Sequence, residues 1–533
     1  MNNALFGYTG FVGSNIMKYY PIEYFYNSTN YKDAVGKSFD TVFFCGLPAT
    51  KWLINKNPEM DTQTINNISW VINTIKAKRF ILISTIDVYT HVDNCDNETA
   101  TFTPKLNHTY GRNRYIFEQF IRVNFKDSNT LIHIIRLPGL FGMGLKKNII
   151  YDLLNDNNIE NINKCDSFQW YDLDWLKNDI DRCINDNIQT INLFTEPLSN
   201  NEITQLFSNK YNESIFKNDA NNSKHYNLTT IYGCNGSKYI RTKNEVIESL
   251  KNFICNQTTK KNCNIAVSNI CLNKVNKLQF YSLLKLYGIK NIEIAPTKIE
   301  DWQTFPSTFV NELNVIKSFG LNVSSFQSIM YNMPLYNIFN ILDHEPFLAH
   351  MERIISIACY YNIKIIVFGC PKNRLISNIS NENYNIENGI LFFKKMGDIC
   401  NNNGNVKICL ENNSKLYGCD FLNTVDEVSE FVKKINHKNI KMMVDIGNMI
   451  MENDTSQIKE YKDNIYHIHI SNIHMNNLLD DNYDKIKDML NIIQCACENN
   501  DVIYSLEFLN NKNEETELFA LNETLIKLCK LFD

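Results

Sequence analysis

The chain reads as an α/β protein in two parts: a doubly wound parallel sheet, then a (β/α)8 barrel. Three observations predict this. Apolar, β-branched runs alternate with helical patterns from the first residues to about position 250. A polar, unpatterned stretch at 256–262 interrupts that rhythm and suits a linker. Beyond it, eight further apolar runs are separated by amphipathic segments, the repeat count of a TIM barrel. The expected division is residues 1–258 and 259–533.

The elements follow in order. Runs at 3–6, 24–27, 41–45, 80–84 and 131–137 are expected strands, with a helix at 11–19 after a glycine loop. Strands that alternate with helices imply a parallel sheet with crossover helices. In the second part the expected strands are 265–269, 291–295, 322–326, 364–368, 407–411, 441–445, 466–470 and 503–508. Amphipathic helices are expected at 277–287, 350–361, 389–400 and 424–435, among others.

Composition narrows the function. A net charge of −5 excludes a protein that coats nucleic acid, which needs surplus Lys and Arg on one face. No uninterrupted apolar run is long enough to cross a membrane, and the N-terminus shows no basic region followed by an apolar run. The 16 cysteines form no CxxC pair, and Cys45, Cys271, Cys409 and Cys419 lie in or beside apolar runs, so reduced core thiols of a cytoplasmic protein are expected. Asn-x-Ser/Thr triplets at Asn67, Asn97 and Asn322 are chance in so Asn-rich a chain.

Gly7, Gly10 and Gly13 follow a strand and open a helix. In that context the first glycine permits the tight turn, the second lets backbone approach a pyrophosphate, and the third lets helix pack on strand. Dinucleotide binding on a Rossmann-type sheet is therefore expected. Three further segments follow: 82–89 with Ser84, Thr85 and Asp87; Tyr110 and Arg114 four apart on one helical face; and 136–142 running from Arg136 to Gly142. Together they resemble the extended short-chain dehydrogenase/reductase family of nucleotide-sugar epimerases, dehydratases and reductases, over roughly residues 1–255. The resemblance implies NAD or NADP as cofactor. It makes Thr85 the substrate hydroxyl's partner and Tyr110 the acid/base, with residue 114 holding the ribose and lowering the phenol's pKa. The family has Lys where this chain has Arg114; Arg keeps the charge but changes the reach. The family's dehydratases carry Asp-Glu after the Thr, whereas Ile86 and Asp87 stand here, so epimerisation or keto reduction is preferred to dehydration. Asn27 ends the second strand, where an acid would mark the ribose 2′-hydroxyl, so the choice between NAD and NADP stays open. Lys146 and Lys147 are either partners of a substrate diphosphate or a solvated pair.

In the second part, Glu411, Asp445, His469 and Glu507 close strands five to eight. Barrel active sites are built at that end. So many like charges at one level repel unless a cation lies between them, which points to a divalent ion: Mn, Mg, Co or Zn. This ligand order, with the segments 292–296, 325–328 and 368–374, resembles the sugar phosphate isomerase/epimerase family of xylose-isomerase-like TIM barrels, over about residues 263–533. The resemblance makes Glu411 and Glu507 the acid/base pair as well as ligands. Glu293 and Gln327 are candidate substrate hydrogen-bonders or structural groups. Lys372 and Arg374 are candidate phosphate contacts or surface-loop residues. His467 reads as a core histidine, and Asn448 stands where family members often have His. Apurinic-site endonucleases of the same superfamily need three zinc ions and more strand-end histidines than His467, His469 and His474 supply.

The expectation is a cytoplasmic two-domain enzyme of carbohydrate metabolism acting on nucleotide-sugar and sugar or sugar-phosphate substrates. Neither nucleic acid nor membrane is an expected partner, and a homo-oligomer is left open. The alternative is that one half is a catalytically inactive binding or scaffold domain.

Overall fold

Asn3–Phe6 (β1) is buried along its whole length, as a strand covered on both faces must be. In the computed structural model it pairs in parallel with Tyr24–Tyr26 (β2) on one side and Ser38–Phe44 (β3) on the other. Lys76–Thr85 (β4), Leu131–Leu137 (β5) and Thr190–Asn192 (β6) extend a six-stranded parallel sheet in the order β2-β1-β3-β4-β5-β6. The structure describes every residue except 1, 234–235, 259–263, 274, 378–384, 405, 479–480, 498–501, 511–513 and 533. The chain divides into two compact units, Met1–Lys260 and Lys261–Asp533.

β3 and β4 begin several residues before the apolar runs that mark them. Their first turns carry Ser38, Asp40, Lys76 and Lys78, which pair along the sheet margin without being apolar. The first helix, Phe11–Ile16 (α1), is shorter than the expected 11–19: beyond it the backbone tightens into turns, with Lys18 N bonded to Asn15 O and Tyr19 N to Ile16 O. Pro58–Ile72 (α2) and Thr109–Asn124 (α3) carry the candidate-site partners described below. The expected linker is corrected in part: Lys243–Thr258 (α4) is helical, anchored by fully buried Val246 and Leu250. No Gly or Pro marks a stop within it. Residues 259–262 of that stretch lie outside the described residues.

The second unit is a closed parallel barrel of eight strands: Asn264–Ser268 (β7), Asn291–Ile294 (β8), Asn322–Phe326 (β9), Ile365–Phe368 (β10), Lys407–Leu410 (β11), Ile440–Asp445 (β12), Ile465–Ile470 (β13) and Ile503–Leu506 (β14). β7 pairs with β14 to close it. Two pairs shift register: Glu293 faces Ser325 where Ile292 faces Val323, and Met443 faces His467 where Met442 faces Ile465. Each shift leaves one extra residue in a strand, Ser324 and Tyr466, as in a β-bulge. Helix Val425–Ile435 starts behind Thr424, whose Oγ1 accepts from Glu427 N. Helices His344–Tyr360 and Ile386–Asn402 start earlier than expected because their first turns are polar. Cys271, Cys409 and Cys419 are buried thiols outside any disulfide. Among the described residues no helix is long and apolar enough to cross a membrane.

Candidate functional site

Four strand ends converge inside the barrel. Glu411 and Glu507 each follow the last residue of a strand, Asp445 is the last residue of β12, and His469 is the penultimate residue of β13. One ligand-capable atom from each lies within 4.8 Å of the others, and all four residues are buried. His469 Nδ1 stands 3.2 Å from Glu411 Oε1, 3.1 Å from Glu507 Oε2 and 3.7 Å from Asp445 Oδ2.

Local structure aims these groups. Asp445 caps the helix Ile446–Glu452 (α5): its Oδ1 accepts from Asn448 N at 2.6 Å and Ser471 Oγ at 2.8 Å, leaving Oδ2 toward His469. Asn448 ties this helix to the loop after β11, donating from Nδ2 to Asn412 O and accepting from Ser414 N. Gly369, just past β10, leaves room for Glu411 in its present place: a Cβ there would lie 2.1 Å from Glu411 Oε2, so the carboxylate would have to shift.

The electrostatics are lopsided. Burial raises the Glu507 carboxyl to about 7, with Glu411 and Asp445 adding to the rise against the pull of His469. Asp445 is also raised, first by burial. Burial opposes charging His469, but Glu507, Glu293 and Asp445 overcome it and hold its pKa well above the ordinary value. One imidazole thus faces four buried carboxylates. Buried charges need partners, and a divalent cation with oxygen and nitrogen ligands fits this donor set.

A cavity of about 520 Å³ opens above the cluster, lined by Glu411, Asp445 and Glu507 together with Gln327, Tyr417 and Asn448. Tyr417 was not singled out in the sequence; it sits in a loop turn where no periodicity marks it, and its phenol is raised by burial and by the three carboxylates. Lys372 also lines the cavity, but Arg374 does not: it is 1% exposed and donates from Nη2 to Asn413 Oδ1. Glu293 corrects the substrate-contact alternative. It is fully buried and outside the cavity lining, accepting from Ser325 and Ser505 hydroxyls at 2.9 and 2.8 Å. Burial would raise its carboxyl, but His467 and His469 hold it well below the usual range. Gln327 reaches the cavity while its amide donates to Ser268 Oγ. His467 is fully buried, 3.0 Å from Glu293 Oε1.

In the N-terminal unit the glycine turn separates into two roles. Gly7 has φ +88°, and its Cβ would lie 2.4 Å from Cys45 O; a Cβ on Gly13 would lie 2.3 Å from Gly7 O. The turn itself therefore demands both. A Cβ on Gly10 would meet only Gly7 O, at 3.2 Å, so the fold's demand for glycine is weakest there. Asn27 is engaged locally, accepting from Thr29 N at 2.8 Å and donating to Tyr8 OH at 3.2 Å. Lys147 donates to Ala49 O, and Lys146 is exposed.

Thr85 lies close enough to Tyr110 to lower its phenol's pKa. Gly111 makes the approach possible, since a Cβ there would lie 1.9 Å from Asp87 O. Arg114 lowers the Tyr110 phenol's pKa, as the resemblance implies, but it is also held by a carboxylate. Its Nη1 and Nη2 donate to Asp61 on α2 at 3.1 and 3.0 Å, Nη2 also donates to Pro48 O, and the guanidinium lies over the Tyr110 ring at 4.6 Å. Burial raises the Tyr110 phenol, and Arg114 offsets this only in part. Beside it, Lys51 Nζ donates to Asp87 Oδ1 at 2.6 Å.

No match was found among curated proteins. The chain is similar to solved structures that include a D-psicose 3-epimerase with D-tagatose from Clostridium cellulolyticum H10, at 12% identity and TM-score 0.41, covering 50% of this chain and 98% of that one. Others are a 3-keto-D-glucoside 4-epimerase from E. coli, at 14% identity and TM-score 0.40 over 50% of this chain and 98% of that one, and a UDP-N-acetylglucosamine 4-epimerase from Methanobrevibacter ruminantium M1, in complex with UDP-N-acetylmuramic acid, at 13% identity and TM-score 0.40 over 48% of this chain and 97% of that one. Residues 282–494, within the C-terminal unit, match the family model of the xylose isomerase-like TIM barrel.

Proposed function

We propose that the barrel is a divalent-metal-dependent isomerase or epimerase of a sugar or sugar phosphate, acting by proton transfer through Glu411 and Glu507. The observation that carries this reading is the convergence of Glu411, Asp445, His469 and Glu507 beneath a cavity of small-molecule size. A divalent cation held by these four residues would polarise a substrate carbonyl beside the reacting carbon. The remaining work falls to the chain. Glu507 lines the cavity and reaches His469 Nδ1 at 3.1 Å, placing a carboxylate where it can take up or return a proton. Glu411 and Glu507 end strands separated by β12 and β13, so they approach from different sides of the strand-end ring. One removes a proton from a sugar carbon and the other returns one to the opposite face. Asp445 and His469 position the site, and Tyr417 and Asn448 offer hydrogen bonds to sugar hydroxyls. The test combines metal analysis of the purified protein with solvent-deuterium exchange into a panel of ketoses and ketose phosphates. Exchange of one C–H proton with bound divalent ion is expected; neither exchange nor metal would refute the reading.

For the N-terminal unit the reading is an NAD- or NADP-dependent nucleotide-sugar epimerase or reductase. The glycine turn and the Thr85–Tyr110 contact support it. The dinucleotide would supply or take the hydride, held at Gly7, Gly10 and Gly13, while Tyr110 moves a proton at its phenol oxygen. Arg114, bound to Asp61, favours a second reading in which this unit binds the dinucleotide without chemistry. Calorimetry with NAD(H) and NADP(H) tests both. Binding that Gly10→Val abolishes is expected, because the branched side chain fills the approach to the turn. Undiminished binding in that variant refutes the assignment.

A further inference from the structure

The barrel's two register shifts meet at one side-chain cluster. The first shift sets Ser325 opposite Glu293, and the second sets His467 and His469 opposite Met443 and Asp445. Bulges concentrate next to active sites, where they re-aim side chains. Here they bring together three fully or almost fully buried groups that the proposed chemistry does not use directly or explain: Glu293, His467 and the far side of His469. His469 Nε2 lies 3.1 Å from Glu293 Oε2. The same carboxylate oxygen accepts from Ser505 Oγ, and the other accepts from Ser325 Oγ with His467 Nε2 3.0 Å away. Both oxygens of Glu293 are thus held from β9, β13 and β14 at once.

We propose that Glu293 is a positioning residue for the metal centre: it accepts the His469 Nε2–H, fixes the imidazole's tautomer and tilt, and so presents the Nδ1 lone pair to the space shared by Glu411, Asp445 and Glu507. The inference rests on the reading of those four residues as metal ligands. A metal-binding imidazole has one nitrogen for the ion and one for an outer partner, and a carboxylate at that outer nitrogen sets the tautomer and strengthens the donor. Nδ1 faces three carboxylates while Nε2 faces Glu293 alone, which divides the two nitrogens in the required way. A carboxylate that served only packing would be an expensive choice at the barrel centre, where an apolar side chain fills space without a buried charge. Glu293 has no access to the cavity, so it acts through His469 and not on the substrate.

The experiment is titration of the full-length protein with Co²⁺, followed by calorimetry and by the visible absorption of the bound ion. The variants are Glu293→Gln, His469→Ala and the double substitution. Glu293→Gln keeps the shape and removes the charge, so it should weaken Co²⁺ binding roughly 10–100-fold and shift the absorption bands, with the same stoichiometry at saturation. In the His469→Ala background the same substitution should change affinity by less than about twofold, because its route of action is gone. Equal affinity and spectrum in Glu293→Gln, or an undiminished loss in the His469→Ala background, would overturn the positioning role and leave the four-ligand reading standing. If wild-type protein binds no Co²⁺, both fall. Ser325→Ala and Ser505→Ala each loosen one oxygen of Glu293 without touching a ligand. They keep the question answerable if Glu293→Gln does not fold: a smaller loss of affinity with a shifted spectrum supports the role, and an unchanged spectrum in both opposes it.

Discussion

The two candidate sites handle buried charge in opposite ways. In the N-terminal unit Arg114, Arg136 and Lys51 each have a carboxylate partner. Arg114 takes Asp61 in a two-pronged contact, Arg136 takes Glu118 in another, and Lys51 takes Asp87. In the barrel, Glu293, Glu411, Asp445 and Glu507 crowd around His469; Glu293 has a second imidazole in His467, but Glu411, Asp445 and Glu507 share His469 with no other cationic side chain among the described ion pairs of that cluster. The first arrangement is complete without a ligand. The second carries a surplus that an added cation or bound protons would relieve; Asp445 and Glu507 are raised first by burial and further by their carboxylate neighbours. A self-sufficient cluster is built to hold a shape; an unbalanced one is built to recruit something.

The largest effect is expected at Glu507, the proposed proton carrier of the barrel. On that reading Glu507→Gln removes an acid/base as well as a ligand, and loss of general acid–base catalysis slows a reaction by about 10²–10⁴-fold. Excess Mn²⁺ or Co²⁺ should not restore solvent exchange in that variant. Asp445→Asn keeps the Oδ1 cap on Asn448 N and loses only the charge toward His469, so excess metal should restore part of its exchange. Equal rescue of both would reduce Glu507 to a ligand and break the reading of paired glutamates.

The comparison also predicts opposite signs for neutralising one carboxylate in each unit. Asp61→Asn leaves the buried Arg114 without its counter-charge, and breaking a buried ion pair in this way costs roughly 3–5 kcal/mol. Denaturant unfolding followed by tryptophan fluorescence suits the measurement, since Trp52, Trp70, Trp170 and Trp175 lie in this unit. In metal-stripped protein, Glu507→Gln should instead stabilise the barrel at pH 8. A carboxyl whose folded pKa is raised to about 7 from the ordinary 4.5 binds more protons folded than unfolded. Stability of the stripped barrel therefore falls as pH rises from about 4.5 through 7, by up to ~3 kcal/mol, and the amide removes that slope. Destabilisation by Glu507→Gln without metal would show that the carboxylates are compensated after all.

Much of this contrast was legible in the residues alone, and the illegible part has a common cause. The strand-end acids and His469 announce themselves because each closes an apolar run, a signal contained within one strand. The outer partner of His469 does not, because Glu293 meets it across the closed barrel, and the bulges at Ser324 and Tyr466 that align them leave no mark in a period-two pattern. Arg114 could be weighed against the expected Lys, but its partner Asp61 lies on another helix, with nothing in the sequence to couple the two. The early starts of β3 and β4 were hidden for a simpler reason: a strand margin tolerates Lys and Asp, so apolar runs underestimate strand length.

Gly369 offers the finest test of the barrel's side of the comparison, because it changes the site without altering any ionisable group. Its φ lies outside the left-handed region, so alanine costs no backbone strain there. The added methyl, however, would lie 2.1 Å from Glu411 Oε2 and 3.4 Å from Asn413 Oδ1. The Glu411 carboxylate must then shift, disturbing its Oε1, which now stands 3.2 Å from His469 Nδ1. A displaced ligand in an otherwise intact set should weaken metal binding by about tenfold, the smaller end of what losing a metal's supporting geometry costs. The same displacement should slow solvent exchange at saturating metal if Glu411 is, as proposed, one of the two proton carriers. Co²⁺ titration of Gly369→Ala, beside its thermal midpoint without metal, separates the outcomes. Unchanged affinity at an unchanged midpoint would mean that Glu411 has room to move and does not need its present place, and the four-residue set would shrink to three.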